Sequence, residues 1–489
     1  MAILGSGFTV LPENPVEQTT GTGGSILTIV FQIIMSGKKN QKLSESKSDK
    51  ISGLPDCVLR YILSLIPTKD AVATCILSKR WKFLWTSVPN IDFDDALLYT
   101  NADFWYPVEV TRFMNFVERV LLLRDSSSIK KFRLSCRVCF SASRVHAWVS
   151  AAVMHDIEEL DLCFFVEKPF MLPLCVFCSK SLTVLKLQMN CELQLPNCIS
   201  FPSLKTLELC LFTFVDDESM EKLFSNCPVL EELSILDCEW VNLTNVTICI
   251  PTLKSLTIDD LPYYGTFDVN GCRIKIDAEN LMHLSYSGYL CNELIPFYVP
   301  SLVKAHIHIP NLFEDQKEVV PRTAKLLRGL QHVHILRMST RTIKSLFLAG
   351  NLLEVPLFQK LTCLELTMKI ENLSIAGLMN LLHCLPNLES LHFCEGLELC
   401  MCSQDNAWYI KPAPRCLVSC LKNIRFQNFR GYDLEICFLK YFLENALVLE
   451  RMYIYSAKNT KGSQKSQKEL NAMLQSFDRG SKNCILCFI

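Results

Sequence analysis

Leu204-Lys-Thr-Leu-Glu-Leu209, Leu253-Lys-Ser-Leu-Thr-Ile258 and Leu361-Thr-Cys-Leu-Glu-Leu366 are three copies of one pattern, apolar-x-x-apolar-x-apolar. The pattern begins at Ile129, Ile157, Leu182, Leu204, Leu230, Leu253, Leu281, Leu302, Leu330, Leu361, Leu388, Leu421 and Leu449, at intervals of 21 to 33 residues. A fixed motif returning at that period is the mark of a solenoid, in which each repeat seals its neighbour's core. Side chains alternate across a strand, so positions four and six point inward and positions three and five outward. Pro202, Pro228, Pro251, Pro300 and Pro386 stand before copies, where a strand entry tolerates a missing N–H. Helical runs such as 218–225 and 375–384 lie between strands. The expected fold is an α/β repeat, an irregular leucine-rich-repeat solenoid.

The chain has 489 residues, with 49 Lys plus Arg against 50 Asp plus Glu, a net charge of −1. That balance excludes a dedicated nucleic-acid binder, which shows a basic face. Residues 1–34 contain no Lys or Arg, so no charged leader of the secretory type is expected. The apolar run 26–35 is broken by Thr28 and Gln32 and falls short of the roughly 20 residues that span a bilayer. A cytoplasmic or nuclear protein is expected, with its 25 cysteines reduced and mostly acting as small core residues.

Residues 52–86 read as three short helices. Val58, Leu59, Ile62, Leu63 and Ile66 share a helical face, Pro67 ends that helix, and Thr68 is placed to cap a second over 70–76. Trp81, Leu84 and Trp85 anchor a third. So short a unit cannot bury all of these, and exposed apolar helix surface marks a partner site.

The string Leu54-Pro-Asp-Cys-Val-Leu-Arg-Tyr-Ile-Leu-Ser-Leu-Ile-Pro67, with Leu77-Ser-Lys-Arg-Trp81 and Leu84-Trp85 after it, resembles an F-box. Ser87-Val-Pro-Asn-Ile-Asp-Phe-Asp94 continues as in plant F-box proteins with leucine-rich repeats, except that Cys75 stands where Ser is usual. Pro414-Arg-Cys-Leu417, Leu421-Lys-Asn-Ile424 and Leu439-Lys-Tyr-Phe-Leu-Glu-Asn-Ala446 resemble the C-terminal FBD domain of the same plant proteins, together with a closing helix and a strand over 484–489. The expected domains are an unstructured N-terminal extension and polar linker over 1–48, an F-box over 49–96 and a helical connector over 97–128. Leucine-rich repeats over 129–411 and an FBD domain over 412–489 follow.

The resemblance implies a substrate-recognition adaptor of an SCF-type, cullin–RING ubiquitin ligase, with no catalytic residues of its own. The F-box would dock a Skp-family subunit and the repeats would hold a protein substrate. It implies an apolar docking surface of Leu54, Pro55, Leu59, Ile62 and Leu63, with Trp81, Leu84 and Trp85 supporting or joining it. The alternative is a repeat scaffold acting outside a ligase.

The outward strand positions Thr206, Glu208, Glu232, Ser234, Ser255, Thr257, His283, Ser285 and Glu365 are candidates for substrate contact. In the copy at Leu302, His306 and His308 would point outward. In the copy at Leu330, Val333 and Ile335 would point inward, leaving His332 and His334 outward with His334 beside His306. No cofactor, metal, membrane or nucleic-acid partner is expected. The pairs Cys136/Cys139, Cys175/Cys178, Cys400/Cys402 and Cys484/Cys487 are too far apart in the chain for the usual four-ligand zinc spacing. Gly21-Thr-Gly-Gly-Ser25 lacks the Lys of a phosphate loop.

Overall fold

A computed structural model describes residues 51, 53–98, 107–125, 127–136, 141–166, 170–240, 242–260, 271–310, 319–348, 355–367, 370–395, 397–398, 412–457 and 467–489. The expected extension over 1–48, Cys139, Cys400 and Cys402 lie outside these residues. The chain divides into two compact units, Met1–Val88 and Pro89–Ile489.

In the first unit, helix α1 (Asp56–Leu63) begins after an extended Pro55, where a missing N–H costs nothing. Leu59 and Leu63, one turn apart, are its buried residues. Helix α2 (Thr68–Ala73) runs on as a 3-10 turn, Thr74–Ile76. Pro67, not Thr68, holds the capping position; Thr68 sits inside the helix with its side chain buried. The third expected helix is a 3-10 helix, Trp81–Ser87. Its three-residue turn stacks Trp81 over Leu84 on the buried side. Arg80 ties the two ends together, its Nε donating to Asp56 Oδ1 at 2.9 Å and its Nη2 to the Leu54 carbonyl.

The second unit carries twenty strands among its described residues. In chain order they are β1 (Asn90–Asp94), β2 (Lys131–Cys136), β3 (Glu159–Phe164), β4 (Val184–Met189), β5 (Thr206–Cys210), β6 (Glu232–Leu236) and β7 (Asn245–Cys249). Then come β8 (Ser255–Asp260), β9 (Arg273–Asp277), β10 (His283–Gly288), β11 (Glu293–Tyr298), β12 (Lys304–His308), β13 (Ile335–Ser339) and β14 (Cys363–Thr367). The last are β15 (Ile370–Glu371), β16 (Ser390–Phe393), β17 (Leu397–Glu398), β18 (Asn423–Phe429), β19 (Arg451–Ser456) and β20 (Ile485–Phe488). Fifteen form one sheet in the order β1-β2-β3-β4-β5-β6-β8-β10-β12-β13-β14-β16-β18-β19-β20. Neighbours are parallel, as one strand per repeat requires.

Burial alternates along these strands, with Leu207 and Leu209 of β5 each 1% exposed between half-buried polar neighbours. Each such leucine contributes about 1.5–3 kcal/mol by leaving water. Twelve of the thirteen expected copies fall in this register. The exception is the copy placed at Leu330, because two frames overlap there. Val333 takes position one and Leu336 and Met338 turn inward, all buried.

Two features exceed the repeat pattern. Strand β1 caps one end of the sheet, and β18 to β20 of the FBD segment prolong the other without a break. A second sheet, ordered β11-β9-β7, forms from inter-repeat segments. A buried cluster joins it to the main sheet. Asn292, just before β11, donates to both carboxylate oxygens of Asp260 at 3.0 Å. The Tyr286 hydroxyl donates to Asp260 Oδ2 at 3.3 Å and accepts from the Leu290 N–H at 2.9 Å. Gly288 passes so close that a Cβ there would lie 2.8 Å from the Asp260 carbonyl oxygen.

Candidate functional site

Two surfaces present chemistry. On the first unit, the expected docking residues separate. Leu59, Leu63, Trp81, Leu84 and Trp85 are buried and make the small core, whereas Leu54 and Ile62 are half-buried and Pro55 is exposed. The correction is physical: α1 has apolar residues on both faces, and the one carrying Leu59 and Leu63 turns inward. The outer stripe is Val58, Tyr61 and Leu65, at 38%, 66% and 53% exposure, flanked by Pro55 and Ile62. Val58 and Tyr61, three residues apart, line one side of α1, and Leu65 follows in the turn after it. Ile76, Leu77 and Phe83 are also exposed apolar residues of this unit.

On the second unit, position five of each copy forms a continuous outward row. Its strand register runs Asp92, Arg133, Asp161, Lys186, Glu208, Ser234, Thr257, Ser285 and His306. It continues through Arg337, Glu365, His392, Arg425 and Tyr453. The parallel position-three row carries Thr206, Glu232, Ser255, His283, Lys304, Cys363, Ser390, Asn423 and Arg451. The substrate-contact candidates on β5, β6, β8, β10, β12 and β14 therefore do share one face. Thr206 donates to Glu232 at 3.4 Å.

His332 and His334 do not belong to it. With Val333 at position one, both precede β13 and stand exposed at the turn. The lateral neighbour of His306 is Arg337. Ser285 Oγ lies 3.4 Å from His306 Nδ1. Burial lowers the His306 pKa to about 4, helped by the charges of Arg337, His308 and Lys304. His308 and His392 are also pushed down, first by burial. These imidazoles are neutral hydrogen-bonding groups near pH 7.

Charge is distributed unevenly along the face. Toward β1 the cations are matched: Arg133 reaches Asp92 at 2.9 Å, Asp94 at 3.4 Å and Asp161 at 3.5 Å. Lys186 reaches Glu208 at 2.9 Å and Lys131 reaches Glu159 at 3.1 Å. Toward β19, Arg425 and Arg451 have no ion-pair partner among the described residues. The sequence patterns did not single out Arg337, His392, Arg425, Arg451 and Tyr453, although position five beyond Glu365 holds three of them, His392, Arg425 and Tyr453.

Cys363, Glu365 and His392 place their ligand atoms within 4.8 Å of one another, near enough to share a metal ion. The surroundings oppose a cation. Lys304 lies 3.9 Å from Glu365, and Arg425 acts on both Cys363 and His392. Burial pushes the Cys363 thiol up to about 11 against the pull of Lys304 and Arg425. Cys210, Cys227 and Cys416 are likewise raised to about 12 by burial. A reactive thiol needs the opposite shift.

Three family models match the chain. Residues 145–393 match the model described as "FBD-associated F-box protein At5g56370, LRR repeats", residues 411–454 match the FBD domain, and residues 51–93 match the F-box domain. The putative F-box/FBD/LRR-repeat protein At3g59240 of Arabidopsis thaliana is 30% identical over 444 residues, covering 86% of each chain. The F-box/LRR-repeat protein At3g59200 of the same plant is 34% identical over 447 residues, covering 83% of this chain and 82% of its own. Among the described residues no helix is long and apolar enough to cross a membrane.

Proposed function

The chain belongs to the plant F-box/FBD/LRR family, and from that premise we propose that it is the substrate-recognition adaptor of an SCF-type, cullin–RING ubiquitin ligase. An F-box adaptor role in general follows from the domains. The particular ligase, the docking residues and the substrate face are the proposal. The observation that carries it is the outer side of α1 and the turn after it, where Val58, Tyr61 and Leu65 are open to solvent on a unit that already has a core of Leu59, Leu63 and Trp81. That stripe, with Leu54, Pro55 and Ile62 beside it, is the surface a Skp-family subunit would cover.

The outward face of the fifteen-stranded sheet would then hold the protein to be modified. No bond is made or broken by this chain. Two sites on one molecule convert the meeting of substrate and ubiquitin-carrying enzyme into an intramolecular event, raising their effective concentration. The proposal places the protein in the cytoplasm or nucleus.

Co-purification with a plant Skp-family subunit tests the reading. Tyr61→Asp puts an unpaired charge where docking would strip water away, an exchange costlier before relaxation than the roughly 2–7 kcal/mol of a neutral polar group. The expected loss of affinity is about a hundredfold, near 2.7 kcal/mol, with an unchanged circular dichroism spectrum because Tyr61 is exposed. An unmodified chain that does not bind the subunit overturns the proposal and leaves a free-standing repeat scaffold.

A further inference from the structure

We propose that the FBD end of the sheet is a phosphate-reading site, binding a phosphorylated segment of the protein that the repeats hold. A shallow pocket of about 270 Å³ opens on the outward face across β16, β18 and β19. Its floor is a grid set by strand register: Ser390, Asn423 and Arg451 in one row, His392, Arg425 and Tyr453 in the next. Among the described residues no carboxylate lines it. The Arg425 guanidinium sits 5.8 Å from the centre of the Tyr453 ring, a cation–π contact that steadies it.

Charge complementarity selects the occupant. Toward β1 the cations of this face are spent on neighbouring acids, Arg133 on Asp92 and Asp161, Lys186 on Glu208, and Arg337 in mid-row stands as a lone guanidinium between His306 and Glu365. Here Arg425 and Arg451 are both exposed, and neither has an ion-pair partner among the described residues. The nearest acid of the row, Glu365, is engaged by Lys304 at 3.9 Å and faces His392 Nδ1 at 4.0 Å. A carboxylate is satisfied by one guanidinium fork. Two guanidiniums, with the Asn423 amide and the Ser390 and Tyr453 hydroxyls around them, suit a group bearing nearly two charges and three acceptor oxygens, which is a phosphate monoester. Recognition of phosphorylated segments by arginine clusters uses this chemistry.

That the phosphorylated segment belongs to a protein held for ubiquitination rests on the adaptor reading, whereas phosphate binding is a property of the pocket and is tested apart from it. The full chain is titrated into three dye-labelled ten-residue peptides, identical except for phosphoserine, glutamate or serine at the centre, and followed by fluorescence anisotropy. The phosphoserine peptide is expected to bind at least tenfold tighter than either other. Its affinity should fall about tenfold in Arg425→Gln and in Arg451→Gln, and weaken as salt rises. Lys254→Gln, exposed in the turn before β8 and off the outward rows, should leave it unchanged. Equal binding of the glutamate peptide, no saturable binding, or indifference to both arginine variants overturns the proposal. Retention or loss of the Skp-family subunit in the same preparations reports on the adaptor reading alone.

Discussion

Phe393→Ala lowers the unfolding free energy of the repeat-bearing unit by about 3–5 kcal/mol. Phe393, on β16, is 1% exposed and stacks flat on Phe426 of β18, with ring centres 4.3 Å apart and planes 2° from parallel. The register places the two rings side by side on adjacent strands. Phe438 and Phe442, one turn apart on the helix Asp433–Asn445, meet Phe393 edge-on at 5.7 and 6.3 Å. Edge-on contacts set the positive rim of one ring against the negative face of another, and each such pair adds about 0.5–1.5 kcal/mol to the area buried. Truncation removes the shared member of three pairs and leaves a ring-sized cavity that rigid strands cannot close. Denaturant titration should show the loss, and amide exchange should rise first over β16, β18 and β19, since repeats couple mainly to their neighbours. Phe393→Leu, which keeps most of the volume, should cost less than half as much. A loss below about 1 kcal/mol for the alanine variant would mean that the FBD strands are not held through this ring.

What the sequence revealed, and what it hid, follows from period. A two-residue period is strict in a strand, so inward positions such as Leu207 and Leu209, and outward ones such as Thr206 and Glu208, were legible from spacing alone. The same strictness made the error at Leu330 consequential. Leu330, Val333 and Leu336 are apolar at equal intervals, so two frames fit, and the wrong one turned His332 and His334 onto the face occupied by Arg337. In α1, helical spacing shows which residues share a side but not which side is buried, because both carry apolar residues. Leu59 was therefore assigned to a surface that Tyr61 occupies. The sheet of β7, β9 and β11 was missed for another reason: its strands are five or six residues long and lie between copies, where repeat logic expects helices. The unmatched arginines of the FBD strands were visible as letters, but their lack of partners exists only once neighbouring strands are laid side by side.

As the pH rises from 5 to 8 the buried carboxyl of Asp260 costs the same unit stability, and Asp260→Asn removes that component. Asp260 ends β8 and is buried against Tyr286 and Asn292. Burial raises its pKa to about 7, with the nearby Asp259 charge adding a little; the hydrogen bonds from Asn292 and Tyr286 oppose the rise without cancelling it. In the unfolded chain an aspartate titrates near 3.9. Between those two values the folded protein holds a proton that the unfolded one has released, so stability falls as pH rises through the interval and levels off above the folded value. At about 1.36 kcal/mol per unit, the full effect approaches 4 kcal/mol; structural relaxation around the ion brings the expected change to about 2–3 kcal/mol. Carboxylates held low, such as Asp217 by its bonds from Thr244 and Asn245, lose their contribution only as pH falls through their own lower range. The window above pH 5 also holds Asp161, Asp237 and Glu435, raised by burial, and His306, His308 and His392, lowered by burial and acting in the opposite sense as pH rises. The informative quantity is the difference between wild type and Asp260→Asn, measured by urea denaturation at each pH. The variant carries a fixed cost of about 1 kcal/mol for a misplaced amide hydrogen. The wild type's loss exceeds that less than about one pH unit above 3.9, so the variant should be the more stable protein across the window, by a margin that widens until the folded carboxyl ionises. Parallel stability curves from pH 5 to 8 would mean that Asp260 is already ionised in the folded protein, with Asn292 and Tyr286 compensating its burial in full.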